Sequence, residues 1–156
     1  MLCSCSDLSE TPEVCKDFSA GFTATYKENK YKGKVALSRQ GLVDINITYP
    51  ETISGLSVSY RRSYLQISRE ELICTADEVY LPEMSFPNVL KSILRGIEEN
   101  KMSFVAKNEE STTYNLTLPI GALTIKIDDE KLLSAEMKNP DLFIEFSNVK
   151  PLENID

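Results

Sequence analysis

The sequence contains no histidine among its 156 residues, and this absence removes several kinds of site. Serine–histidine and cysteine–histidine pairs need an imidazole as general base, so nucleophilic enzymes of both kinds are excluded. A tetrahedral zinc site would have to be built from the four cysteines alone. Neither a Walker-type phosphate loop nor a G-x-G-x-x-G segment is present. We therefore expect no metal, no cofactor and no enzyme of these classes.

Two further absences narrow the class of protein. No stretch approaches the roughly 20 consecutive apolar residues that a membrane-spanning helix needs. Basic residues are too few for a nucleic-acid-binding protein, because the formal net charge is −7. Hydrophobic residues make up 42% and charged residues 26%, which is an ordinary globular balance. A chain of 156 residues predicts one domain with a core that needs no metal or disulfide.

The cysteines are unevenly distributed along the chain. Cys3, Cys5 and Cys15 lie in the first fifteen residues, and Cys74 lies in an apolar, strand-like run. We interpret Cys74 as a small buried hydrophobic residue. A Cys15–Cys74 disulfide is the alternative in an oxidising compartment, because sequence alone does not set the distance between the two residues.

Apolar and polar side chains alternate in successive short runs from Phe22 to Phe146. This period of two is typical of antiparallel strands with one buried face and one solvated face. Turn residues separate the runs, so the pattern predicts about ten strands joined by short connections. The runs are 22–26, 31–37, 43–49, 56–60, 65–67, 72–75, 103–106, 112–118, 123–127, 133–137 and 142–146.

One amphipathic helix interrupts the strands, at residues 86–99. Ser85 is expected to cap it through its hydroxyl, and Pro87 is tolerated in the first turn. Asn100 is a suitable stop signal. The apolar positions at helical spacing are Val89, Leu90, Ile93, Leu94 and Ile97.

These elements predict an α+β fold that is mostly β. We expect a curved antiparallel sheet, a half-barrel, of about ten strands covered by one amphipathic helix. Residues 1–18 are expected to form a flexible tether, residues 19–150 the half-barrel domain, and residues 151–156 a C-terminal tail. The curved sheet and its cover can enclose a cavity for an apolar ligand.

Charged clusters in the sequence have simple interpretations. The carboxylate pairs at 70–71, 98–99, 109–110 and 128–129 fall at turns or element ends, where solvated charge is expected rather than acid–base catalysis. Five basic residues crowd the first hairpin, namely Lys27, Lys30, Lys32, Lys34 and Arg39. They are interpreted as charges that prevent strand-to-strand aggregation, and the alternative is contact with anionic lipid or cell-wall polymer.

The residues Leu2-Cys3-Ser4-Cys5 resemble the end of a bacterial lipoprotein signal, in which small residues precede the cysteine that carries the lipid. The resemblance implies lipidation of Cys5, with Cys3 as the alternative site, and an extracytoplasmic protein anchored to a membrane surface. The charged and apolar parts of such a signal are expected to have been removed from this chain.

The strand order, the tethered N-terminus and the single mid-chain helix together resemble the LolA/LolB-like superfamily of lipoprotein-localisation factors. The resemblance covers roughly residues 18–150. It implies a half-barrel whose groove carries lipid or lipoprotein acyl chains. The residues expected to line the groove are Val35, Ile45, Ile47, Val58, Leu90, Leu94 and Tyr114.

Three hypotheses for the function follow. The first is a non-enzymatic cell-envelope lipoprotein that binds an apolar or amphipathic ligand, a lipid or hydrophobic small molecule, in the groove. The second is a structural or interaction module of the envelope with a filled core and a protein partner, which an exposed strand edge or the basic hairpin could bind. The third, an enzyme that uses only carboxylates and tyrosines, has the least support because no buried carboxylate pair is predicted.

Overall fold

A computed structural model describes residues 16–152 of the chain. It contains eleven strands and one α-helix. The strands are β1 (Phe18–Tyr26), β2 (Asn29–Leu37), β3 (Val43–Tyr49), β4 (Leu56–Tyr60), β5 (Leu65–Arg69), β6 (Leu72–Ala76), β7 (Met102–Lys107), β8 (Thr112–Leu118), β9 (Gly121–Asp128), β10 (Lys131–Met137) and β11 (Leu142–Pro151). The helix α1 (Phe86–Glu98) lies between β6 and β7 in the chain.

All eleven strands form one open antiparallel sheet in the order β6-β5-β4-β3-β2-β1-β11-β10-β9-β8-β7. Consecutive strands pair as hairpins within β1–β6 and within β7–β11, and the two halves join where β1 pairs with β11. The two strands that flank α1 in the chain, β6 and β7, are therefore the two edges of the sheet. The predicted fold class, a curved half-barrel covered by one helix, is confirmed.

The core lies between the concave face of the sheet and α1. Alternate residues of the central strands point into it, and eight of the thirteen helix residues are buried. The strand alternation found in the sequence therefore arises because only one face of the sheet is covered. Phe18 and Ala20 are also buried, so β1 begins earlier than the run that starts at Phe22.

The two ends of α1 differ in how their backbone groups are satisfied. Ser85 occupies the N-cap position, but its hydroxyl donates to the carbonyl of Pro82 at 2.8 Å and makes no capping bond. The prediction of a side-chain cap was therefore wrong. At the other end Asn100 has a φ of 59°, and the amides of Asn100 and Lys101 donate to Ile97 and Gly96. This is a Schellman motif, and it confirms Asn100 as the stop signal.

Bulges reverse the predicted orientation of two apolar residues. Lys32 pairs with Tyr49 while Gly33 pairs with Ile47, so one extra residue turns Tyr49 outward and leaves it 46% exposed. A second bulge in β10 buries Leu132 and leaves Leu133 37% exposed. An extra residue shifts the side-chain alternation by one position, and the two predictions of inward orientation were wrong for that reason.

Cys74 is exposed, which corrects its interpretation as a buried hydrophobic residue. It lies on β6, and an edge strand has a neighbour on one side only. Cys3, Cys5 and Cys15 lie outside the described residues, as do most of the tether predicted for residues 1–18 and most of the tail predicted for residues 151–156.

Candidate ligand-binding face

Six of the seven residues predicted to line the groove meet in the core. They come from β2, β3, β4 and α1, and each is at most 2% exposed. The structure thus brings four strand residues of the concave face and two helix residues together in one core. The six are Val35, Ile45, Ile47, Val58, Leu90 and Leu94.

The seventh, Tyr114, lies on β8 where the cover of the helix ends, and it is partly buried. Phe104 on the edge strand β7 lies directly opposite it and is 52% exposed. The two rings are arranged edge to face, with centroids 6.2 Å apart. We call Phe104 and Tyr114 the aromatic margin, because they extend the apolar concave face beyond α1. Phe104 was not among the predicted groove residues, since its strand had no assigned neighbour at the level of sequence.

The helix approaches β8 closely through Gly96. A Cβ atom at that position would lie 3.0 Å from Leu116 Cδ1 and 3.2 Å from Leu118 Cδ2. Glycine therefore lets the helix backbone rest on the leucines of β8, and a larger residue would push the two elements apart.

Aromatic rings hold the N-terminal end of α1. Phe86 stacks on Tyr31 with centroids 4.3 Å apart and meets Phe22 and Tyr26 at tilted angles. The hydroxyl of Tyr26 donates to the carbonyl of Met84 at 2.7 Å. Strands β1 and β2 thus fix the entry of the chain into the helix.

A buried polar group on the helix connects its first half to the sheet. The hydroxyl of Tyr60 donates to Asn88 Oδ1, and Asn88 Nδ2 donates to the carbonyls of Leu81 at 3.0 Å and Pro82 at 2.9 Å. Burial raises the pKa of Tyr60, with a further increase from Glu78. The phenol therefore stays protonated and remains a donor.

Lys91 lies next to this group, with Nζ 5.2 Å from the centre of the Tyr60 ring. Burial lowers the pKa of Lys91, while the negative charge of Glu78 partly opposes that decrease. The contact is a cation–π interaction at the boundary of the core.

Arg95 joins the second half of α1 to three separate segments. Its guanidinium donates to both carboxylate oxygens of Glu78, at 2.9 and 3.3 Å, and to the carbonyls of Gly41 and Arg61, each at 3.1 Å. This one side chain therefore joins the β2–β3 loop, the β4–β5 loop and the segment after β6. A polar pocket of about 210 Å³ lies beside it, lined by Gln40, Gly41, Arg62, Arg95, Glu98 and Glu99.

Among residues 16–152, no group of three or more His, Cys, Asp or Glu side chains is placed to hold a metal ion. The predicted carboxylate pairs lie at turns and element ends, and seven of their eight residues are exposed. Within the same range, no helix has the length and apolar character needed to cross a membrane. The contacts that the concave face and the aromatic margin can offer to a ligand are apolar.

No family model matches the chain, and no curated protein matches it in sequence. Solved structures resemble it in fold. An uncharacterized conserved protein from Thermus thermophilus aligns over 96% of this chain and 86% of its own, with a TM-score of 0.57 and 10% identity.

Two further structures align at 9% identity. A LolA superfamily protein from Nitrosomonas europaea has a TM-score of 0.46 and covers 99% of this chain and 96% of its own. An outer membrane lipoprotein-sorting protein domain from Vibrio parahaemolyticus has a TM-score of 0.47 and covers 97% and 92%.

Proposed function

We propose that this chain is a non-enzymatic binding protein of the cell envelope that holds an apolar or amphipathic ligand, such as a lipid acyl chain, on the concave face of its sheet. The ligand lies along the predicted groove residues and the aromatic margin. A single observation carries the proposal: the apolar concave face continues from beneath α1 onto Phe104 and Tyr114, where it is open to solvent. Exposed aromatic surface next to a core is a common feature of ligand sites.

Access to the six buried groove residues requires α1 to shift. The helix is held by its buried apolar side chains, by the close approach of its backbone to β8 at Gly96, and by the polar contacts of Asn88 and Arg95. An acyl chain that enters at the aromatic margin would replace the apolar contacts of α1 with its own. The free-energy difference between the two arrangements is therefore smaller than the cost of exposing the core to water.

A dansyl-labelled fatty acid tests the proposal directly. We expect its fluorescence to rise on binding to the wild-type chain, and we expect Phe104→Ser to weaken binding about fivefold or more, because a large apolar contact is lost. Phe143→Ser is the matched control, since Phe143 is 40% exposed on the convex face. Absence of binding by the wild type, or equal losses in both variants, would contradict a ligand on the concave face.

Hydrogen exchange separates binding beneath the helix from binding at its margin. Entry of the acyl chain under α1 should accelerate exchange of the helix amides, because the helix leaves its closest packing. Unchanged exchange in the presence of bound fatty acid would restrict the ligand to the aromatic margin and contradict the groove.

Membrane attachment through Cys5 is part of the same proposal, and Cys3 is the alternative acceptor. Two acyl chains of a diacylglyceryl group would give stable anchoring, whereas one chain would not. The intact mass of the protein from a membrane fraction of its native host tests this. An unmodified mass in that fraction would argue against the lipid anchor while leaving the ligand site untouched.

A second candidate function, an interaction module with a filled core, is favoured by the exposed edge strand β6. Leu72 is 79% and Ile73 66% exposed there, and the exposed acidic residues Glu70, Glu71 and Asp77 flank the strand. An extended peptide with an apolar centre and basic ends would complement this edge. Titration of the labelled chain with such a peptide, compared with an acidic-ended version, tests it; equal affinities would count against the module.

A further inference from the structure

Three lysines form a row on the convex face of the sheet. Lys30, Lys32 and Lys34 are exposed and occupy alternate positions of β2, so their side chains leave the same face about 7 Å apart. We call them the lysine row. The strand that carries them contains no acidic residue.

The neighbours of the lysine row across the sheet are uncharged. Thr25 and Thr23 of β1 pair with Lys30 and Lys32, and Gly21 pairs with Lys34. On the other side β3 places Tyr49 beside Lys32 and Asn46 beside Lys34.

Within residues 16–152, no ion pair joins any of the three lysines to a carboxylate. Two other basic side chains near the same edge of the core, Arg39 and Arg61, are instead paired with Asp17 and Asp44. The positive charge of the row is therefore available to an external partner. Two carboxylates lie near the row in the strand register: Asp44 on β3, opposite Ala36 and paired with Arg61, and Glu145, two strands away from Lys32 through Thr23.

Two exposed aromatic rings flank the lysine row on the same face. Tyr49 is 46% exposed and lies under Lys32 Nζ, 5.7 Å from the ring centre. Phe143 is 40% exposed and pairs with Thr25, which in turn pairs with Lys30. Basic side chains interspersed with aromatic rings match the two layers of a bilayer surface, the anionic head groups and the interfacial zone just beneath them.

We propose that the convex face around the lysine row is a docking surface for an anionic lipid bilayer. The lysines contact the lipid phosphates, and Tyr49 and Phe143 enter the interfacial zone. The formal net charge of −7 would otherwise repel such a surface, so the row also sets the orientation of the protein. This arrangement directs the concave face and α1 away from the bilayer, and it does not depend on a ligand being bound there.

The absence of tryptophan allows a direct test with the full chain. Phe143→Trp places a single tryptophan beside the lysine row, and Leu72→Trp places one on the concave side of the sheet, at the exposed edge strand β6 and away from the aromatic margin. We expect phosphatidylglycerol-containing vesicles to shift the emission of the first variant to shorter wavelength and to leave the second unchanged. Vesicles of phosphatidylcholine alone should shift neither.

Charge reversal tests the lysine row itself. Lys30→Glu with Lys34→Glu should lower the fraction of the protein that sediments with phosphatidylglycerol vesicles about tenfold or more. Each basic residue near an anionic surface contributes substantially to the affinity for that surface. Lys126→Glu with Lys138→Glu makes the same change in net charge at two other exposed lysines and should have a much smaller effect. Thermal unfolding of each variant establishes that it is folded.

Any one of four results would overturn the proposal. Failure of the wild type to bind phosphatidylglycerol vesicles at low salt would do so, as would equal losses in the two charge-reversed pairs. A blue shift at position 72 in place of 143 would mean that the concave side of the sheet meets the bilayer. Binding that persists undiminished at high salt would show that the lysines do not provide the attraction.

Discussion

The centre and the margins of the concave face follow the same alternating pattern but have different surroundings. In the centre, most inward-facing residues of β1–β4 and β8–β11 are buried in one core with those of α1, and residues such as Leu94 and Ile45 are fully buried. At the margins, β6 and β7 carry Leu72 and Phe104, which point to the same side of the sheet and remain exposed. An apolar residue on this face therefore belongs to the core where the helix covers it, and it is available to a ligand where the helix does not.

The largest contrast is expected from truncating leucines in the two environments. Leu94→Ala should lower the free energy of unfolding by about 3 kcal/mol, because it leaves a cavity between helix and sheet. Leu133→Ala, at the exposed bulge of β10, should cost less than about 1 kcal/mol. Urea denaturation measures both. Similar losses of stability in the two variants would mean that the centre is packed no more tightly than the margins.

The attachment of α1 gives the next largest effect. Arg95→Met should destabilise the protein by about 2 kcal/mol, since it leaves the Glu78 carboxylate and two backbone carbonyls without their donor. Lys101→Met removes an exposed ion pair with Glu99, 2.9 Å long, and should change stability by less than about 0.5 kcal/mol. Equal effects would show that the helix does not depend on this side chain.

The buried phenol gives a smaller and pH-dependent effect. Tyr60→Phe should cost about 1 to 2 kcal/mol near neutral pH, because Asn88 Oδ1 loses its donor. The folded-state pKa of Tyr60 lies above its ordinary value of about 10, so its contribution is complete below that pH and is lost as pH rises further. The difference in stability between wild type and variant should therefore narrow above about pH 10.

Tyr64→Phe is the control for this pH dependence. Tyr64 follows Tyr60 in the β4–β5 connection and is 41% exposed. Lys91, whose pKa is lowered by burial, is present in all three proteins, so its titration affects them alike. A constant difference between wild type and Tyr60→Phe from about pH 7 to about pH 11 would contradict the assigned role of the buried phenol.

The sequence alone was sufficient for the strands, the helix and the burial of six residues in the core, because each shows a regular spacing. It was insufficient wherever orientation depends on pairing. Tyr49 and Leu133 fit the alternation, yet one extra residue in each strand turns them outward. Phe104 and Cys74 lie on edge strands. Their strands are the edges of the sheet because β1 pairs with β11, and these two strands are far apart in the chain. The contacts of Arg95 could not be predicted, because its partners belong to loops that are distant in the chain.

A small effect on stability, together with the clearest separation of the two regions, is expected at the aromatic margin. Phe104→Ser should change the free energy of unfolding by less than about 1 kcal/mol, since the side chain is already 52% exposed in the folded protein. The same substitution should reduce binding of the dansyl fatty acid, whereas Leu94→Ala should act mainly on stability. Urea denaturation measures the stability of both variants, and fluorescence titration measures their affinity for the dansyl fatty acid. If Phe104→Ser destabilised the protein as strongly as Leu94→Ala, the margin would be part of the core, and its exposure could no longer be assigned to ligand binding.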